Sequence, residues 1–425
     1  MKIPFGFRGS VLCLHGILLF SIVMFTSCSM GKKALVTITN PHQVAFSDVP
    51  VVIARELLAG VLPISRAGKV PAVFLESGRQ LPSQADDLNG DGQWDELFLL
   101  ADAESEASQT FIVRMVEHDK MPDFSPRTNI RFAAITSDTV HTPLTFAVRL
   151  GQNQGLATGR FQFEGPGWEN DRVGFRNYFD ARNGMDIFGK TTGAMVLDSV
   201  GINEDYHVLQ PWGMDILRVG TSLGAGALAL EKNGMLHRVA PTANGEAIIL
   251  ADGPLRSILR FSFNDWEVDG QKYNLIHDVV IHAGAWYYES KVILQGGSGT
   301  ETLVSGITAI DLPEKNARET FHDDSIVTLA TFGNQAFAGE GLGMAIMTRR
   351  DNYLGYSWMG PQGQPINNTF GIRMKPGADK SFTFRFYAVW EPSSPDYGSP
   401  EGFKKLLEQD AALFAKPLIV EVENR

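Results

Sequence analysis

The chain has 425 residues, 44% hydrophobic and 20% charged, which is ample core material for about two or three domains. Its formal net charge is -11 at pH 7. That opposes nucleic-acid binding, which needs a basic patch against phosphates, but leaves room for a locally basic pocket facing an acidic ligand.

Lys2 and Arg8 precede an apolar run at 11–25, followed by Thr26, Ser27 and Cys28. The run is too short and wrongly flanked for a spanning helix and reads as a signal peptide over 1–27. A small residue before the cysteine resembles a bacterial lipobox. This predicts cleavage before Cys28, lipidation of its thiol, and a membrane-anchored lipoprotein in the periplasm or on the outer-membrane surface. A plain signal peptide with a coincidental cysteine is the other reading. Cys13 and Cys28 are the two cysteines, and Cys13 leaves with the signal, so the mature chain has no disulfide pair.

Residues 28–120 are predicted to form a small N-terminal β domain. Ala34 to Thr39 and Val44 to Ile53 alternate, Thr110 to Val116 is rich in β formers, and turn residues separate the runs. Between them, Asp87, Asn89, Asp91 and Asp95 fall at positions 1, 3, 5 and 9 of a calcium loop, with Gly92 at the turn. Position 12 is Phe98, where such a loop needs a bidentate glutamate. Glu96 is a substitute, but Leu97 to Leu100 reads as a strand. A structural Ca²⁺ site and a metal-free Asx-rich turn both remain open.

Residues 117–130, with Pro122 and Pro126, read as a linker. Residues 121–425 are predicted to form a large antiparallel β super-sandwich, so the chain is mainly β. Short β-branched or aromatic runs fall at 144–150, 194–200, 226–230, 246–250, 255–264, 274–282, 285–294, 301–310, 326–332, 343–349 and 382–390, with no interleaved helical period. The end differs. Ser399 and Pro400 suit an N-cap and first helical position. Phe403, Leu406, Leu407, Asp410 and Phe414 follow at helical spacing, and Pro417 ends this C-terminal helix.

Three regions offer chemistry. The stretch 168–190 holds Arg172, Arg176 and Arg182 among Glu169, Asn170, Asp171, Asp180 and Asp186, with Trp168, Tyr178, Phe179 and Lys190. Arginine forks match carboxylates and aromatics stack on sugars, so a floor for an anionic or polyhydroxyl ligand is one reading. A solvated loop of local ion pairs is the other. In the run 255–264, alternation puts Leu255, Leu259, Phe261 and Phe263 on one face and Arg256 and Arg260 on the other. The next strand places His282 and Asp278 opposite His277. Such a polar face suits a sugar cleft or plain solvent, and His277 reads as a hydrogen-bonded core histidine. The third region, Asn203 to Asp215, gathers Glu204, Asp205, Tyr206, His207, Gln210 and Trp212. It offers an imidazole and a phenol for proton transfer and an indole for stacking, or else a surface loop over a buried tryptophan. The glycines at 220–226 lack a phosphate-loop ending. No HExxH, cysteine metal site or Gly-x-Ser-x-Gly elbow occurs, and His237 and His322 stand in isolated polar groups.

The runs QADDLNGDGQWDEL, WENDRVGFRNYFDARNGMDIFGK and WGMDILRVGTSLGAGALAL occur in that order. Together they resemble a bacterial lipoprotein family with a domain of unknown function, encoded in polysaccharide-utilisation loci and similar to the galactose-mutarotase-like super-sandwich. The resemblance implies a concave ligand face and a setting of uronic-acid-rich glycans. Fold kinship fixes no chemistry. The expected function is β-elimination on uronic-acid-containing oligosaccharides, as a carbon–oxygen lyase of the polysaccharide lyase or oligosaccharide dehydratase kind. Arg172 or Arg176 neutralises the substrate carboxylate, His207 takes the C5 proton, and Tyr178 or Tyr206 protonates the leaving oxygen. Trp168, Glu169, Asp180, Arg182, Lys190, Trp212, Arg256, Arg260 and His282 are the expected substrate-binding residues, and no metal is required. Hydrolysis by paired carboxylates such as Asp171 and Asp180, mutarotation, and non-catalytic glycan binding are the alternatives.

Overall fold

The computed structural model describes residues 32–424 except 65–67, 138, 151–156, 241, 313–316 and 361–364. The predicted signal peptide and Cys28 lie outside the described residues.

Alternating burial builds the N-terminal layer. In Ala34–Thr39 every second residue is buried, putting Ala34, Val36 and Ile38 on one face. That strand sits in a four-stranded sheet between Ser108–Glu117 and Ile419–Asn424, so the last strand of the chain pairs with the first. A three-stranded sheet, Phe46–Ala54, Glu96–Ala103 and Gln84–Asp86, packs against it. The core between them includes Val51, Ile53, Leu97, Leu99, Phe111 and Val113.

The rest is a larger β construction. A nine-stranded antiparallel sheet runs from Phe146–Leu150 at one edge to Arg318–His322 at the other. Two five-stranded sheets share a core with it. One holds Thr128–Arg131, Gly167–Asn170, Val173–Asn177, Met185–Lys190 and Gly213–Asp215. Trp168 and Phe175 point inward there, and Phe175 meets Tyr288 edge to face at 4.9 Å. Each such buried aromatic contributes about 1.5–3 kcal/mol. The chain is therefore mainly β, with antiparallel sheets and a C-terminal helix, as the periodicity indicates.

That helix, Pro400–Ala415, is capped by Ser399, whose Oγ accepts from the Gly402 N–H at 3.1 Å. Phe403, Leu406, Leu407 and Phe414 are buried against Met347, Tyr387 and Val389. Phe403 covers Gly343, where an added Cβ would fall 2.7 Å from the ring.

Three segments depart from the sequence reading. Residues 194–200 form turns, not a strand. The stretch 168–190, read as a charged floor or loop, supplies three buried strands. Its charges hid the strand signal because they face each other beneath a covering loop instead of facing water. The expected linker contains a short turn at His118–Lys120 and then strand Thr128–Arg131. Just before that strand, Arg127 holds both Asp48 oxygens, at 2.9 and 2.7 Å, and Asp171 Oδ2 at 2.6 Å. This ties the N-terminal layer to the sandwich.

Candidate active site

The site is built on the outer face of the sheet carrying Val173–Asn177 and Met185–Lys190. With Phe175 and Ile187 turned inward, alternation turns Arg176 and Asp186 outward as direct cross-strand partners. Phe188 stands opposite Asp215 on the next strand pair. The connection 191–212 lies over this face through Val196, Leu197, Val200 and Trp212, which cluster with Phe163 and Phe188.

Beneath it Arg176 is 2% exposed. Its Nη2 donates to Asp186 Oδ2 at 2.7 Å, to Asp215 Oδ2 at 2.6 Å and to the Tyr178 hydroxyl at 3.1 Å. Its Nη1 donates to the Tyr206 hydroxyl at 3.0 Å and to the Phe163 carbonyl at 3.2 Å. Tyr178 donates its own proton to Asp186 Oδ2. A guanidinium has five donors in a fixed fork, and here they are directed at partners within the protein.

Burial dominates the electrostatics. It pushes the Asp215 carboxyl up to about 8, and the nearby Asp186 charge adds to the shift while Arg176 opposes it. Burial also raises the Tyr178 and Tyr206 phenols. Around neutrality Asp215 therefore keeps its proton.

His207 is the exposed member. Its side chain is 54% accessible, with Nδ1 3.1 Å from Asp205 Oδ1 and Nε2 3.7 Å from Asp215 Oδ2. The Asp205 carboxylate also accepts the His207 backbone N–H at 3.0 Å, closing an Asx turn that fixes the imidazole's base. The Tyr206 and His207 rings lie 4.4 Å apart. Val208 and Leu209 follow as exposed apolar residues. An exposed imidazole, a phenol and a protonated carboxyl thus converge, a combination able to take and return protons.

Of the expected catalytic residues, His207, Tyr206, Arg176 and Tyr178 come together, and Arg172 does not. Arg172 is exposed and its guanidinium lies 5.8 Å from the Trp286 ring. Arg176 adjoins Tyr206 and Asp215 but its fork is occupied, which removes it as a grip for a substrate carboxylate. Asp186 and Asp215 are the partners that sequence reasoning left without a role. The cross-strand register that joins them to Arg176 was their only signal.

Several expected binding residues brace the fold instead. Trp168 is fully buried against Phe175, Phe261 and Tyr288. Lys190 Nζ pairs with Glu169 Oε2 at 2.5 Å and donates to the Asn170 carbonyl at 2.6 Å, all out of solvent. Glu169 Oε1 accepts the Val196 and Leu197 N–H groups at 2.7 and 2.8 Å, fastening the covering loop to the sheet. Trp212 is buried beside Phe188, its Nε1 donating to Glu204 at 3.0 Å. Arg256 pairs with Asp86 and with Glu96, joining the sandwich to the N-terminal layer. Arg260 pairs with Asp278 across two strands at 2.6 and 2.8 Å. Asp180 holds Arg182, whose guanidinium lies 4.2 Å from the Tyr178 ring and also reaches Glu164. These last residues border the Arg176 network. Asp171 is engaged by Arg127 and Asp180 by Arg182.

His282 is buried, 3.0 Å from the Tyr287 hydroxyl, and burial lowers it to about 4. His277 is likewise lowered to about 4 by burial and meets Ser290 Oγ at 2.8 Å. In the calcium-like loop, Asp87 accepts the N–H groups of Gly90 at 2.8 Å, Asp91 at 3.2 Å and Gly92 at 2.7 Å. Asp95 Oδ2 accepts that of Leu88 at 2.7 Å. Asn89 donates from Nδ2 to Asp95 Oδ1 at 3.1 Å, and Asp91 Oδ1 accepts the Gln93 N–H at 2.8 Å. Among the described residues no group of three His, Cys, Asp or Glu is arranged to hold a metal ion. No described helix is long and apolar enough to cross a membrane.

Residues 38–420 match the family described as a domain of unknown function, DUF4861. The chain belongs to this family. No curated protein matches it. Among solved structures, it is similar to an alpha-mannosidase from Enterococcus faecalis V583, at 10% identity and a TM-score of 0.46, covering 92% of this chain and 46% of that one. It is also similar to a protein in glycosyl hydrolase family 38 from Enterococcus faecalis, at 9% identity and a TM-score of 0.49, covering 92% and 47%. The chain spans less than half the length of either protein. Likeness at this level bears on neither activity nor substrate.

Proposed function

We propose that this DUF4861 member is a carbohydrate-active enzyme that cleaves a carbon–oxygen bond of uronate-containing oligosaccharides by β-elimination. The observation that carries the reading is the packing of His207 beside Tyr206, with tilted rings whose centroids are 4.4 Å apart, above Arg176 and Asp215. His207 takes the C5 proton of the uronate. The C5–H electrons form a C4–C5 double bond as the C4–O bond breaks. Tyr206 protonates the departing oxygen, which leaves as water in a dehydratase or as a sugar hydroxyl in a lyase. Solvent then carries the proton from His207 back to the phenol.

Arg176 acts through Tyr206. Its hydrogen bond stabilises the phenolate left after proton donation. A protonated Asp215 spares an incoming uronate a second negative charge at the network. The resemblance to proteins of polysaccharide-utilisation loci supports a glycan substrate, and the lipobox-like Cys28 supports a lipid anchor facing the periplasm or the cell surface.

Hydrolysis is the second reading, favoured by Asp215 alone. A carboxyl kept protonated near neutrality is what a glycosidic general acid needs. Incubation with a uronate oligosaccharide panel separates the two. Elimination raises ultraviolet absorbance from the unsaturated product, and dehydration lowers its mass by one water. Hydrolysis adds one water across the products without absorbance. Glycans that bind and emerge chemically unchanged would refute both.

A further inference from the structure

A cleft of about 380 Å³ opens where strand Phe46–Ala54 and helix Pro400–Ala415 meet the turn at 283–286. No member of the Arg176 network lines it. Its volume falls in the small-ligand range of roughly 300–1,000 Å³.

At its mouth stands Arg172, whose guanidinium has no ion pair or hydrogen bond among the described residues and lies 5.8 Å from the Trp286 ring. The carboxylates nearby are committed or sit apart. Asp48 gives both oxygens to Arg127. Asp410 is half-buried, its carboxyl raised to about 6 by desolvation against the pull of Arg385 and a hydrogen bond with Tyr387, so its charge is held by those partners. Asp396 is exposed at the rim. Tyr397 forms a half-buried aromatic wall, its ring 6.4 Å from Trp286 and edge-on to it. Gln409 offers an amide from the helix. Deeper in, His282 is neutral at ordinary pH and hydrogen-bonded to Tyr287, so polar groups line the base without adding charge.

An unmatched arginine fork, an aromatic wall and the Gln409 amide, with Asp48 and Asp410 held by Arg127 and Arg385, are complementary to a sugar ring bearing one carboxylate. We infer that the Arg172 cleft is a binding site for a monosaccharide uronate, separate from the site at His207. The fork takes the carboxylate, Tyr397 covers an apolar face of the pyranose, and Gln409 takes ring hydroxyls. The inference does not depend on catalysis at His207.

Calorimetric titration of the full chain with glucuronate, glucose and acetate tests it. Glucuronate binds the wild type more tightly than either control. Arg172→Gln weakens glucuronate binding at least about tenfold, the loss expected for one charge-assisted contact, while melting as the wild type does. Tyr397→Ala weakens it too. His207→Ala leaves it within about twofold, so loss of turnover and loss of this binding fall on different variants. Wild-type affinity in Arg172→Gln, equal binding of glucose or acetate, or loss of binding in His207→Ala would each overturn the assignment.

Discussion

His207 Nε2 stands 3.7 Å from Asp215 Oδ2, the oxygen that accepts from Arg176 at 2.6 Å. One buried carboxyl thus connects an exposed imidazole to a buried cation. In the proposed reaction this carboxyl couples proton transfer at His207 to the charge held inside the sheet.

His207→Ala is expected to lower turnover of a uronate oligosaccharide by about 10²–10⁴, the usual weight of a general base or acid. Tyr206→Phe removes the hydroxyl held by Arg176 and lowers it comparably. Because His207 is exposed, its loss changes stability by less than about 0.5 kcal/mol. Product absorbance and thermal melting of the same preparations check both statements.

Activity is expected to fall as pH rises through about 8, where Asp215 loses its proton. Stability follows the same group. Its folded pKa is raised above the ordinary 3.8, so its stabilising contribution is complete below that value and is lost as pH approaches about 8. Asp215→Asn removes this component, and its melting temperature declines less than that of the wild type between those limits. An equal decline in both proteins would contradict the assignment.

The buried histidines act in the opposite sense. His277 is lowered from 6.5 to about 4, so its contribution is complete above 6.5 and is lost as pH falls through that window. His277→Gln, compared with the wild type by urea unfolding across the window, is expected to show a shallower loss of stability in acid.

Lys190→Met leaves Glu169 charged and unpaired in the interior and is expected to cost about 3–5 kcal/mol. Adding Glu169→Gln recovers a large part, since the amide oxygen still accepts the Val196 and Leu197 N–H groups while the charge is gone. Double-mutant unfolding cycles measure the recovery, and additive losses would argue against a coupled pair.

Asp87→Ala removes the acceptor of three loop N–H groups. It is expected to cost about 1 kcal/mol, since solvent can replace part of what is lost. Faster amide exchange at Gly90, Asp91 and Gly92 is the local sign.

Period-two alternation and turn residues were enough to read most of the large strands. Ser399 and Pro400 marked the helix start, and the spacing of Phe403, Leu406, Leu407 and Phe414 marked its buried face. The clustering of Glu204 to Trp212 also marks His207 and Tyr206 as residues able to move protons. The strands at 168–190 were harder to read, because a strand buried on both faces can carry charges on one of them when each charge finds a partner.

Periodicity, capping and residue type thus specify a mainly β chain, a capped terminal helix, and a short list of residues able to move protons. Which of them meet depends on packing between segments distant in the chain. Cross-strand register places Arg176 against Asp186 and Asp215, and closure of 191–212 lays Tyr206 and His207 over them. The neighbouring Arg172 goes to a different cleft. Arg172 sits in the turn before the strand that carries Arg176, so strand alternation does not govern it and the two guanidiniums meet different surroundings.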